Sequence, residues 1–130
     1  MHIEQSKEVL DYISNITMLF KNLISIQEVQ KEFADEYQYI ITDFDKIIAD
    51  AAEVNASDED IKKCVALMNN IDEIVATTAL NEAPLDCKNR KELIKKHYDA
   101  FLEKYKSELN VDERLIKPIC SVLTIKLLSL

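Results

Sequence analysis

The chain is 130 residues long, contains no Gly and only two Pro, and carries a net charge of −8 at pH 7. Without Gly, Walker-type and dinucleotide-binding loops are excluded, because backbone must approach phosphate where a Cβ would stand. Tight β-hairpins also lose their usual turn residue.

A chain of this length is expected to form one domain, residues 1–130, with a core of its own. Its mix of 48% hydrophobic and 31% charged residues is that of a globular protein. The opening stretch MHIEQSKEVL has no basic segment leading into an apolar core, so no secretory signal is expected. The first helix is predicted on apolar spacing at Leu10, Ile13, Thr17, Phe20 and Leu23. Next, SIQE places Ser25 three residues before Glu28, between Ile24 and Val29. It reads as a capping box with a hydrophobic staple, opening a second helix.

That second helix carries Val29, Phe33, Tyr37, Ile40, Phe44, Ile47 and Ala51, stepping by three or four. SDED (Ser57, Asp60) repeats the cap, with Ala56 and Ile61 as its staple. A third helix follows on Ile61, Cys64, Met68, Ile71 and Val75. The stretch NEAPLDCK is the one long loop expected. Beyond it, Asn89 with Glu92 is predicted to cap a fourth helix bearing Ile94, His97, Phe101, Tyr105 and Leu109. Asn81 and Asn110 are placed to close helices where Gly would ordinarily serve. Asn110 with Glu113 also reads as a cap for the last segment, Val111 to Leu130, which contains Pro118. Proline removes a helical N–H and crowds the carbonyl four residues back, so a break or kink is expected near Lys117. The expected fold is all-α, a compact antiparallel bundle of four to five helices.

The C-terminal run is apolar on several faces, at Ile119, Val122, Leu123, Ile125, Leu127, Leu128 and Leu130. It is expected in the centre of the core, with a homodimer seam through Ile119 to Leu130 as the alternative. With Lys126 inside it, it is too short to span a bilayer, so no membrane span is expected. Three cysteines, Cys64, Cys87 and Cys120, match neither a disulfide framework nor a zinc pattern. They fit a reducing, cytoplasmic setting.

Charge is unevenly placed. Residues 1–60 hold 14 acidic and 4 basic side chains, a net of −10, and the remainder carries +2. In the second helix Glu32, Glu36, Asp43, Asp50 and Glu53 recur at spacings that align them along one face. That row is the candidate partner-binding surface. A basic protein would relieve its like-charge repulsion and be steered towards it at low salt. Nucleic acid is not expected as a direct ligand, since phosphate binding needs a dominant positive surface. No metal and no cofactor are expected. Neither His2 nor His97 has the Glu three residues before it that di-iron bundles use, and no loop resembles an EF-hand.

The stretch CKNRKELIKKHY, residues 87–98, gathers Lys88, Arg90, Lys91, Lys95 and Lys96 at a helix start, where cations oppose the macrodipole. Packing against the acidic face of the second helix would compensate them. Cys87 beside Lys88 has no base placed by sequence to activate it. His97 lies on the Ile94–Phe101 stripe, which reads as a core-edge histidine. Arg90 and His97, seven apart, also share a helix face. In that spacing the segment resembles the R-x4–6-H motif of HEPN-domain ribonucleases, with Lys91 where the family usually has Asn, Asp or His. The resemblance implies metal-independent RNA cleavage by a dimer, with Arg90 and His97 as catalytic residues. The leading expectation is a non-enzymatic acidic module of the inhibitor, immunity, adaptor or assembly-chaperone type, docking a basic protein. The HEPN-like ribonuclease is its alternative.

Overall fold

The computed structural model describes residues 7–25, 34–81 and 90–128, apart from the side chains of 34–37, 39, 81, 90, 91 and 128. The described residues form helices α1 Lys7–Ser25, α2 Ala34–Ala52, α3 Asp58–Asn69, α4 Ile71–Asn81, α5 Arg90–Leu109 and α6 Glu113–Leu128, and no strand. Six helices replace the expected four to five. The difference lies at Asn70, which ends α3 with φ −103° and ψ 8°. Its carbonyl accepts the Ile74 N–H at 3.0 Å, opening α4. The apolar stripe Ile61, Cys64, Ile71, Val75 runs in phase across this joint, so periodicity alone hides it. The legible signal was NNIDE: Asn is a poor helix former and a good cap, and Asp72 and Glu73 suit a first turn.

Ser57 caps α3 as expected, extended at φ −75° and ψ 160°, its hydroxyl accepting the Asp60 N–H at 3.2 Å. Ser25 is the last residue of α1, its hydroxyl donating to the Asn22 carbonyl at 3.1 Å. Its proposed partner Glu28 lies outside the described residues, as do Asn89 and Cys87. Asn110 takes the left-handed conformation, φ 52°, and stops α5 in the role Gly usually fills. The cap of α6 is Asp112 rather than Asn110: its carboxylate accepts the Arg114 N–H at 3.0 Å.

Helix α6 is the axle of the fold and packs against each of the other five helices. Leu115, Ile116, Ile119, Val122, Leu123 and Ile125 are fully buried. The helix runs through Pro118 without the expected break. Proline there forfeits one hydrogen bond, to the Arg114 carbonyl near the helix start, and tertiary packing holds the remaining turns. Two hydroxyls enter this core at little cost because each finds a carbonyl one turn back. Ser121 donates to Lys117 at 3.2 Å and Thr124 to Cys120 at 2.8 Å. Lys126 reaches out of the core to Asp72 at the start of α4, 2.8 Å away.

On α1 the buried stripe is Val9, Tyr12, Ile16, Phe20 and Leu23; Phe20 and Leu23 are as expected, the first three stand one residue before Leu10, Ile13 and Thr17, and Leu10 is 53% exposed. The Tyr12 hydroxyl donates to the Leu115 carbonyl and pins α1 to the first turn of α6. One cluster of buried apolar side chains draws on all six helices. No helix among the described residues is long and apolar enough to cross a membrane.

Candidate docking surface

Helix α2 owes its orientation to Ile40, Phe44 and Ala51, each buried, and to a stack of Phe44 on Phe20 of α1. The two ring centroids lie 3.7 Å apart with planes 7° from parallel. At 100° per residue, Asp43 and Asp50 then stand roughly 90° around the helix from the buried stripe. Asp43 and Asp50 therefore stand beside the core contact, not opposite it, while Glu53 lies in the turn just past the end of α2. Asp43 and Glu53 are exposed and Asp50 is half-buried. Glu32 lies outside the described residues, and Glu36 is in α2 with its side chain outside the description.

The C-terminal end of the row lies within the field of a cation of its own chain. Arg114, at the start of α6, holds Asp112 with Nη2 at 2.8 Å and Nε at 3.1 Å. That pairing pulls the Asp112 carboxyl below its usual range, through the Arg114 hydrogen bond first. Asp112 is likewise the main reason the Arg114 guanidinium is held still more firmly protonated, and the fields of Glu53 and Asp50 add to it. Asp43 makes no ion pair among the described residues.

Helix α5 does pack on α2. Lys95 and Lys96 are exposed, however, and form no ion pair with α2 among the described residues, so the expected internal compensation rests on no contact there. His97 is 4% exposed in the stripe with Ile94 and Phe101, its ring 6.4 Å from that of Phe101. Arg90 opens α5 with its side chain outside the description. Cys64 and Cys120 are free, buried thiols. Burial, with the field of Asp60 behind it, pushes Cys64 up to about 12, and burial raises Cys120 as well, so neither is a nucleophile at neutral pH. Among the described residues no three His, Cys, Asp or Glu converge as a metal site would require.

Comparisons with protein-family models, with curated proteins and with solved structures each find no match. The chemistry of the surface itself carries the functional reading.

Proposed function

We propose that this chain is a non-enzymatic acidic docking module that binds a basic protein along the flank of α2, through Glu32, Glu36, Asp43, Asp50 and Glu53. The observation that carries this reading is the fixed attitude of α2. Buried Phe44 and Ala51 lock the helix, and each holds the preceding acid, Asp43 or Asp50, beside the core contact on one flank. A flank pre-set in this way spends no ordering entropy on its backbone when a cationic partner arrives. Its charge raises the encounter rate at low ionic strength. The geometry favours this over the ribonuclease alternative, since His97 is 4% exposed within the chain. Two buried thiols left free are consistent with a reducing, cytoplasmic setting.

The test is affinity capture with wild type and with the triple variant Glu32→Lys, Glu36→Lys, Asp43→Lys, at low and then high salt. A basic protein held by wild type, released by salt and missed by a triple variant of unchanged helicity is the expected result. Equal capture by both would sink the reading. RNA cleavage in EDTA that His97→Ala abolishes would move the ribonuclease to the front.

A further inference from the structure

Helices α1 and α3 are distant in sequence and pack side by side. Along the outside of their contact runs an open groove of ≈ 390 Å³. Ile61, Val65 and Ala66 give its α3 wall an apolar part beside Lys62 and Asn69, and its rim carries Glu8 and Asp11 from α1 and Asp58 from α3. These three carboxylates are exposed, and none forms an ion pair among the described residues. Among the described residues Lys62 is the one cation in the lining, so the described rim is acidic by three groups to one.

A larger cleft of ≈ 520 Å³ between the α3–α4 pair and α5 makes the contrast. There Lys63 and Lys104 are matched by Glu73 and Glu108. Both ammonium groups are engaged, Lys63 with the Leu109 carbonyl at 3.2 Å and Lys104 over the Tyr105 ring at 5.2 Å. That cleft is charge-balanced and selects no ligand class. The smaller groove is not balanced.

We infer that the α1–α3 groove is the anchor point of the basic partner. It takes one apolar side chain of an amphipathic segment whose flanking Lys or Arg residues meet Glu8, Asp11 and Asp58. The inference rests on the reading of the chain as a binder of basic proteins and adds a second surface to the α2 flank. The physical case is a division of labour. Rim charges on a solvated surface contribute little affinity but steer and orient. An apolar side chain seated in a pocket and shielded from water supplies most of the binding energy. The α2 flank offers charge alone, whereas the groove offers apolar wall residues inside a charged rim. A helix laid in a groove reads such a site through residues one turn apart. A second copy of this chain is a poor occupant, because at a net −8 it would bring acid to acid.

The experiment uses the full 130-residue chain, labelled for amide NMR and titrated with a helical Lys/Ala peptide carrying Leu at i and i+4. A twin peptide has Glu in place of Lys. The Lys peptide is expected to shift amides of residues 8–15 and 58–69, less so at high salt, and the Glu twin to shift none. Asn15→Trp, which fills the groove from an exposed lining position, should abolish those shifts while those on α2 persist. Asp11→Lys should weaken the groove affinity about fivefold, as fits loss of one rim attraction and gain of a repulsion.

Shifts confined to α2 would overturn the groove and leave the flank reading standing. Groove shifts that survive unchanged in the variant Glu36→Lys, Asp43→Lys, with no response on α2, would uphold the groove and overturn the flank. No shift anywhere up to about 1 mM peptide, the weak limit of specific association, would overturn both. Groove shifts that survive Asn15→Trp and Asp11→Lys, or that appear on concentrating the protein without peptide, would also overturn the proposal.

Discussion

Helix α6 and the flank of α2 are built on opposite terms. On α6 the described side chains from Ile119 to Ile125 are all buried, its two hydroxyls are satisfied within the helix, and its one late charge, Lys126, is paired with Asp72. On the α2 flank Asp43 is exposed and makes no ion pair among the described residues, and Asp50 and Glu53 lie within the field of Arg114. A region whose groups are all satisfied by its own chain works for stability. A region left with exposed, unpaired charge contributes little to stability. The acidic groove between α1 and α3 belongs with the second kind.

The largest expected effect tests the first term of that contrast. Leu123→Ala should cost about 2–5 kcal/mol in chemical denaturation, since a side chain enclosed on every side leaves a cavity when truncated. A cost near that of a surface substitution would break the contrast. Ser57→Ala should cost about 1 kcal/mol, by removing the acceptor for the Asp60 N–H at an exposed helix start.

Acid should erode one contribution that Asp112 supplies. Its carboxyl titrates below its ordinary value in the folded state, so the stability it adds is complete above that value and is lost as pH falls through the folded pKa. Asp112→Asn should therefore flatten the acid limb of the unfolding curve; an unchanged limb would remove Asp112 from the account. Smallest of all, Asp43→Lys should shift stability by no more than about 0.5 kcal/mol, as for an exposed residue outside the core. The same substitution should weaken partner capture. Loss of both together would show that the flank is structural.

Several elements were legible from local chemistry. The Ser57 cap, the left-handed Asn110 and the α5 stripe through Ile94, His97, Phe101 and Tyr105 depend on interactions within a few residues, and sequence spacing reports those directly. The phase of α1 was not legible. Leu10, Ile13 and Thr17 satisfy helical spacing as well as Val9, Tyr12 and Ile16 do. The choice falls to the second set because it includes Tyr12, whose hydroxyl finds the Leu115 carbonyl in a chain segment 103 residues away. Asp43 and Asp50 were legible as sharing a helix face, but the nearness of Arg114 to Asp50 was not, since that depends on where α6 begins in space.

By itself, then, the sequence determined that this protein is helical, that Ser57 opens one helix and Asn110 closes another, and that its acid is concentrated in the first 60 residues. Caps, turn chemistry and charge counts are local quantities. Only the tertiary structure decided that a proline-bearing segment stays one helix, that a continuous apolar stripe is cut at Asn70, and that Glu8, Asp11 and Asp58 share a rim. Each of these depends on helices distant in sequence packing around α6, and burial against such neighbours is a property that no single stretch of chain possesses.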